Sequence, residues 1–313
     1  MASLIEQAAR RLEQLRSAGA QIPDAIPSAG MSKPPLHSAP GIPASLTSVP
    51  TRPLVAEPAH TSREVMLDLE ALGAAGFVTP NAPRSHSADQ FRLIKRPLLA
   101  NAKAKGEKAL KHGNLIMVTS SLSGEGKSFT SLNLAMSIAM ELDNTVMLVD
   151  ADVARPSILR MLGLPVMPGL LDVLEGSKDM HSVLLKTNID KLTVLPSGSS
   201  RPKATELLAS DAMRQLLDDM AARYPDRIII FDSPPLLLTT ESRVLATQMG
   251  QVVMVVQADR TLQADVDHAL SSIKTCANIN LVLNKVRGNS SDGYGYGYGY
   301  GYGSEASSGS AKA

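Results

Sequence analysis

Short runs of apolar residues recur along the middle of the chain and predict buried strands. The runs lie within residues 115–119, 145–152, 192–195, 226–235, 251–256 and 280–283. Segments with apolar residues at helical spacing separate these runs, at residues 129–142, 204–224 and 261–276. Strands that alternate with helices in this way are typical of an α/β fold that is doubly wound around a mostly parallel sheet.

Two further helices are predicted ahead of the first strand, at residues 64–73 and 88–102. In the second helix Asp89, Arg92 and Lys95 recur at a spacing of three, and we expect them to share one charged face. Such a face is either a solvated surface or a contact with a neighbouring subunit. In the second case the helix near residues 88–100 would be an oligomerisation element.

The two ends of the chain differ in composition from this central region. Residues 1–19 predict an amphipathic helix whose polar face carries mixed charge, which favours docking on a protein partner over binding to a membrane surface. Residues 20–62 are rich in proline and predict an extended linker. Residues 288–313 are rich in glycine, serine and tyrosine and predict a disordered tail. Residues 63–287 are therefore the predicted folded domain.

The overall composition narrows the class of protein. With 313 residues, of which 44% are hydrophobic, the chain can bury a sizeable core. A formal net charge of +1 gives no electrostatic case for nucleic acid as a partner. No apolar run approaches the ~18–20 residues that cross a bilayer, residues 1–20 lack a signal-peptide core, and Cys276 is the single cysteine. We therefore expect a cytoplasmic protein.

The first strand leads into a turn rich in serine and glycine, which is followed by a helix. This turn fits the phosphate-loop pattern G-x-x-x-x-G-K-[ST], with Ser121 at the position of the first glycine. Lys127 is expected to reach the β- and γ-phosphates of ATP, and the Ser128 hydroxyl to bind Mg²⁺. The expected nucleotide contacts are Ser123, Gly124, Glu125, Gly126, Lys127, Ser128 and Phe129.

Carboxylates end two further strands, with Asp150 and Asp152 after one and Asp232 at the end of the other. Because parallel strands bring their C-terminal ends to one edge of a sheet, these acids are expected beside the phosphate loop, where they would complete a Mg²⁺ site with Ser128. A lone aspartate after a strand often only caps a turn, but that explanation fits one strand end better than two. The pair Asn284-Lys285 ends the last strand at the same edge and is a weaker candidate for contact with the base or ribose.

Glycine and tyrosine alternate over residues 293–303, a stretch that contains five of the chain's six tyrosines. Such a sequence cannot build a packed core or a stable helix, and it presents phenol hydroxyls that a kinase site could phosphorylate. The expected phosphate acceptors are Tyr294, Tyr296, Tyr298, Tyr300 and Tyr302. The alternative is a low-complexity tail that stacks or condenses.

Together these motifs resemble the bacterial tyrosine kinases of polysaccharide export systems, and among them the soluble autokinases of exopolysaccharide and exosortase gene clusters. The resemblance covers residues 85–303. The family's first motif tolerates serine at position 121. Its second motif, an apolar run followed by D-x-D-x-R, has Ala154 at the arginine position, with Arg155 one residue later. Its third motif matches residues 228–235.

The family's oligomerisation motif E-x-x-R-x-x-R corresponds conservatively to Asp89, Arg92 and Lys95. The resemblance implies an ATP- and Mg²⁺-dependent autokinase that phosphorylates its tail in trans within a ring-shaped homo-oligomer. It also implies control of exopolysaccharide polymerisation or export, a separate transmembrane activator that brings the protein to the inner membrane, and a phosphotyrosine phosphatase.

The catalytic residues implied in this way are Lys127, Asp150 and Asp152. One of the two acids would take the proton of the tyrosine and the other would support the metal, with Asp150 preferred as the base because it ends the strand proper. The chief alternative function is a partitioning or positioning ATPase without kinase activity. Those proteins carry a signature lysine five residues before the loop lysine, where this chain has Leu122. A catalytically silent adaptor is a further alternative, which the intact loop and acids disfavour.

Overall fold

The computed structural model of the protein describes residues 63–81, 85–224, 226–276 and 278–287. The predicted N-terminal helix, the linker and the tyrosine tail lie outside the described residues, so these three segments and their boundaries stay predictions.

The described residues contain eight strands and ten α-helices. The strands are β1 (Arg63–Val65), β2 (Leu115–Ser120), β3 (Thr145–Asp150), β4 (Leu185–Thr187), β5 (Leu192–Leu195), β6 (Arg227–Asp232), β7 (Gln251–Gln257) and β8 (Ile279–Asn284). The helices are α1 (Leu69–Ala74), α2 (His86–Ala102), α3 (Lys127–Ala139), α4 (Ile158–Met161), α5 (Leu170–Leu174), α6 (Met180–Val183), α7 (Ala204–Leu208), α8 (Asp211–Arg223), α9 (Glu241–Ala246) and α10 (Gln263–Ser272).

The strands form one sheet in the order β1-β4-β5-β3-β6-β2-β7-β8. The six strands from β5 to β8 in this order are parallel to one another. Strand β4 runs antiparallel to β5, and β1 runs parallel to β4, so this pair reverses direction at one edge. The sequence prediction of a mostly parallel α/β sheet is therefore confirmed.

Alternation of side chains along the central strands builds a core on each face of the sheet. On one face Ile116 and Val118 pack with residues of α2 and α3, and on the other Leu115 and Met117 pack with residues of α8, α9 and α10. Successive residues of a strand point to opposite faces, so a continuous apolar run is what a strand covered by helices on both sides requires.

Two secondary-structure predictions are wrong in detail. Residues 64–73 were expected to be helical throughout, but the segment begins with strand β1, and α1 starts only after Asp68, whose carboxylate caps the Ala71 N–H. The helix predicted over residues 204–224 is two helices, because the Ser210 hydroxyl accepts from the Met213 N–H and starts α8 as a separate element. Short strands such as β1 and β4 carry too few residues for a clear pattern.

Lys95 does not share the exposed face of α2 with Asp89 and Arg92. Asp89 and Arg92 form an exposed ion pair of 2.7 Å within the helix, whereas the buried Lys95 ammonium lies 2.6 Å from the Ser137 carbonyl and 2.7 Å from the Glu141 carboxylate. The physical reason is helical geometry: at about 100° per residue, a spacing of three drifts by about 60° at each step, so the third residue turns inward.

Among the described residues, no helix combines the length and the apolar character needed to cross a bilayer.

We predict that Lys95→Met lowers the free energy of unfolding by about 1–3 kcal/mol, because the Ser137 carbonyl and the Glu141 carboxylate both lose a buried donor. Urea denaturation measures this change. The matched control is Arg92→Met, which removes only an exposed ion pair and should cost less than about 1 kcal/mol. Equal losses in the two variants would contradict the assignment of Lys95 as the buried anchor of α2.

Candidate active site

The turn between β2 and α3 has the backbone shape of an anion-binding loop. Gly124 and Gly126 have φ values of 87° and 102°, a left-handed conformation that favours glycine. Within the described part of the chain, the backbone N–H groups of residues 123–128 donate to no side chain and to no backbone carbonyl outside helix α3. Unpaired N–H groups at the start of a helix are the groups that bind phosphate.

The segment that follows β6 fixes the first half of this loop. The N–H groups of Leu236 and Leu237 donate to the carbonyls of Ser120 and Ser121, at 2.8 and 3.2 Å. Ser121, at the first glycine position of the motif, is fully buried beside this contact. The full burial favours a small side chain, such as serine or glycine, at this position.

The sheet register brings the predicted acids together. Asp150 and Asp232 are direct partners across β3 and β6, and Asp232 is also the partner of Val118 on β2, two residues before the loop begins. All three acids are at most 3% exposed. Burial of three carboxylates next to one another is costly unless a cation or a proton compensates their charge.

Lys127 supplies the cation. Its Nζ atom lies 2.6 Å from Asp152 Oδ2 and 3.3 Å from the Ser128 hydroxyl. Burial on its own would lower the pKa of Lys127, but the negative charges of Asp232, Asp152 and Asp150 outweigh it and the pKa is raised. Lys127 therefore stays protonated, and its ammonium is engaged by Asp152.

Asp150 is held on one side and free on the other. Its Oδ2 atom accepts from the N–H groups of Ser157 and Ile158, both at 3.0 Å, while Oδ1 is buried and has no partner among the described residues. Burial raises the pKa of Asp150 to about 7; the charge of Asp232 adds to this effect and the two amide donors oppose it. Near neutral pH this carboxyl can therefore both accept and release a proton.

Asp232 is the most deeply buried of the three acids. The Ser131 hydroxyl lies 3.0 Å from Oδ1, and Oδ2 has no partner among the described residues. Burial raises the pKa of Asp232, against the opposing charge of Lys127.

The oxygen atoms in this centre suit Mg²⁺. Asp232 Oδ2 is buried and has no partner among the described residues, and Ser128 adds a hydroxyl beside Lys127. Within the described ranges, no three His, Cys, Asp or Glu side chains are arranged to hold a metal by themselves. Mg²⁺ usually takes one or two carboxylates and completes its shell with water and substrate phosphates.

The other predicted site residues lie in different surroundings. The Phe129 ring packs on the Phe77 ring with centroids 5.1 Å apart. Arg155 is exposed, and its backbone N–H donates to Asp152 Oδ1 at 3.1 Å. The five tail tyrosines lie outside the described residues.

Sequence reasoning missed several groups that shape the site. Ser131, the amides of Ser157 and Ile158, and Thr261 belong to no motif considered above, and each is brought in by the fold. The sequence predicts contact of the Asn284-Lys285 pair with the base or ribose, and this stays a prediction; in the structure both side chains donate to carbonyls of the phosphate loop.

Comparison with known proteins gives a consistent result. A protein-family model described as an AAA domain matches residues 113–284. Tyrosine-protein kinase YwqD of Bacillus subtilis (strain 168) is 30% identical over 216 residues, which are 68% of this chain and 87% of that protein. Tyrosine-protein kinase ptk of Acinetobacter johnsonii is 32% identical over 183 residues, 58% of this chain and 24% of that longer protein.

Among solved structures, the kinase domain of the Escherichia coli tyrosine kinase ETK superposes with a TM-score of 0.55. It is 22% identical, and the match covers 75% of this chain and 94% of that domain. At this identity the superposition supports the fold.

We predict that Asp150 makes the nucleotide-free protein less stable as the pH rises. The folded protein binds a proton at Asp150 below a pKa of about 7, whereas the ordinary value for the unfolded chain is 3.8. The native state therefore gains stability as pH falls through 7 and loses it as pH rises. Between pH 6 and pH 8 the parent should lose about 1–2 kcal/mol from this group, a loss absent in Asp150→Asn.

Urea denaturation at the two pH values measures this difference. Asp143→Asn, at an exposed position just before β3, is the matched control and should follow the parent. A parallel pH dependence in the parent and in Asp150→Asn would show that Asp150 does not titrate in this range.

Proposed function

The chain belongs to the bacterial tyrosine-protein kinases, and we propose that it is an autokinase that phosphorylates the tyrosines of its own C-terminal tail in trans. The proposed acceptors are Tyr294, Tyr296, Tyr298, Tyr300 and Tyr302. Support comes from a phosphate loop and a proton acceptor at one edge of the sheet, in a chain whose tail carries nearly all of its tyrosines.

The observation that carries the proposal is the buried Oδ1 atom of Asp150, which has no partner among the described residues and lies at the edge of the sheet that carries the phosphate loop. A general base needs a free oxygen within hydrogen-bonding reach of the proton that it accepts. In the proposed step the tyrosine hydroxyl oxygen forms a bond to the γ-phosphorus, its proton passes to Asp150, and the bond between the γ-phosphorus and the bridging oxygen breaks, so that ADP leaves.

Phosphoryl transfer depends on positioning and on charge neutralisation more than on covalent help from the protein. We assign Lys127 and the amides of residues 123–128 to hold the phosphates. Ser128 and Asp232 would hold Mg²⁺, which supplies neutralisation of the charge on the phosphate oxygens. To reach the phosphates, the Lys127 ammonium must exchange its contact with Asp152 for one with ATP.

The hydrogen-bond geometry favours Asp150 over Asp152 as the base. Both carboxylate oxygens of Asp152 are engaged, Oδ2 by Lys127 and Oδ1 by the Arg155 N–H, whereas Asp150 Oδ1 has no partner among the described residues. We assign to Asp152 the role of holding Lys127 in place until nucleotide arrives, and of supporting the metal site afterwards.

We further propose that the protein forms a ring-shaped homo-oligomer and that a transmembrane activator brings it to the inner membrane. There it would act in exopolysaccharide polymerisation or export, and a phosphotyrosine phosphatase would reverse the reaction. The resemblance of the sequence motifs supports these points. On α2, Asp89 and Arg92 are exposed and could contact a neighbouring subunit. Lys95 is buried and pairs with Glu141 within the same domain.

We predict that Lys127→Met abolishes ATP hydrolysis and tail phosphorylation, because the β- and γ-phosphates lose the side-chain cation of the loop. Phosphotyrosine on the purified protein after incubation with ATP and Mg²⁺ is the measurement. Lys111→Met, an exposed lysine before β2 and thus at the opposite edge of the sheet, is the control and should keep parental activity. Parental phosphotyrosine in Lys127→Met would refute the loop assignment.

We predict that changing all five tail tyrosines to phenylalanine leaves ATP binding intact, removes nearly all phosphotyrosine and keeps the oligomer assembled. About ten residues separate Asn284 from Tyr294, and at ~3.3–3.6 Å each they let the tail reach a neighbour's site. Each phosphate adds about −1.5 to −2 charges, so a phosphorylated tail is repelled by Asp150, Asp152 and Asp232 and the oligomer disperses.

Calorimetry with ADP and size-exclusion chromatography with light scattering provide the two readouts. The phosphorylated parent should elute as smaller particles than the variant. Co-elution of the fully phosphorylated parent with the unphosphorylated oligomer would refute the switch, whereas phosphotyrosine persisting in the variant would refute the tail as the main acceptor.

A further inference from the structure

Two side chains at the end of strand β8 donate hydrogen bonds to the second half of the phosphate loop. The side-chain amide of Asn284 donates to the Glu125 carbonyl at 2.8 Å, and the Lys285 ammonium donates to the Gly124 carbonyl at 2.7 Å. Lys285 has a φ of 57°, so the chain turns directly after the strand. Two consecutive carbonyls of the loop are therefore fastened to two consecutive side chains that lie about 160 residues later in the sequence.

These contacts set the direction of the loop's N–H groups. In a planar trans peptide, the carbonyl of one residue and the N–H of the next point in opposite directions. When the carbonyls of Gly124 and Glu125 point to β8, the N–H groups of Glu125 and Gly126 must point away from it. These N–H groups are among those that have no partner in the described part of the chain outside α3, so they stay available to an anion.

Gly126 makes the close approach of Asn284 possible. A Cβ atom at Gly126 would lie 2.1 Å from the Asn284 side-chain nitrogen, which is far inside van der Waals contact. The second glycine of the motif is thus required by its positive φ and also by the amide packed against it.

The side chain of Glu125 is held in place by two hydrogen bonds. Its carboxylate accepts from the Leu122 N–H at 2.7 Å and from the Thr261 hydroxyl, and the residue is only 3% exposed. A free carboxylate would repel a phosphate, so these two donors keep the one acidic side chain of the loop engaged elsewhere.

We infer that Asn284 and Lys285, with Thr261 behind Glu125, are positioning residues that keep the phosphate loop in its anion-binding shape before nucleotide arrives. This inference rests on the assignment of residues 120–128 as the phosphate loop. It differs from direct contact of Asn284 or Lys285 with the base or ribose, because it requires an effect on the loop in the absence of nucleotide.

The test uses Asn284→Asp and Lys285→Met in the full chain. Neither new side chain can donate to the loop carbonyls, and Lys285 is exposed, so its replacement does not threaten the fold. We expect the ¹⁵N order parameters of the Gly124 and Gly126 amides in the nucleotide-free protein to fall from about 0.85 towards about 0.6. We also expect ADP, measured by calorimetry, to bind about tenfold more weakly.

Two further variants control the test. Asn280→Asp makes the same change on the same strand, where the side-chain amide donates only to Asn278 Oδ1, at 2.7 Å, among the described residues. It should leave both measurements at the parental level. Lys285→Arg keeps a donor and should restore most of the loop's order and of the affinity for ADP.

Parental order parameters in Asn284→Asp and Lys285→Met would overturn the inference, and if ADP binding were weakened they would show direct contact with the nucleotide instead. A disordered loop with unchanged ADP affinity would also overturn it. Because the order parameters are measured without ATP and without phosphorylation, they decide the question even if tail phosphorylation in trans proves wrong.

Discussion

The balance of charge around Lys127 is the constraint on which the rest of this structure depends. One buried ammonium faces three buried carboxylates, and buried charges are screened much less than exposed ones. A lysine can compensate one acid fully, and Asp152 holds it at 2.6 Å. Burial without a second cation raises the pKa of Asp150 to about 7 and raises that of Asp232 as well. Protonation and hydrogen bonds therefore reduce the remaining negative charge. The same excess of negative charge would favour the binding of a divalent cation together with the phosphates of a nucleotide.

The parallel sheet makes this concentration of charge possible. Six strands deliver their C-terminal ends to one edge, and the register pairs Asp150 directly with Asp232. Helices on both faces remove the strands from water, so the acids at their ends are buried by the same packing that stabilises the core. The edge that binds phosphate is therefore also the edge where ionised groups are least stable without a ligand.

The phosphate loop has no stable shape of its own, because its glycines permit many conformations. Its two halves are fixed by different strands: Leu236 and Leu237 after β6 hold Ser120 and Ser121, and Asn284 and Lys285 at the end of β8 hold Gly124 and Glu125.

The sequence by itself determined the central strands, the phosphate loop, the acids at the strand ends and the family, and the relatives confirm a tyrosine kinase. These features depend on local patterns, since burial on both sides makes a strand apolar and phosphate binding needs a fixed spacing of glycine, lysine and serine. Only the tertiary structure decided that β1 and β4 reverse the sheet edge, that Lys95 points inward, that Asp152 rather than Asp150 pairs with Lys127, and that Asn284 grips the loop. Each of those outcomes depends on distances between groups far apart in the chain, and no local pattern records which of several possible partners lies within hydrogen-bonding reach.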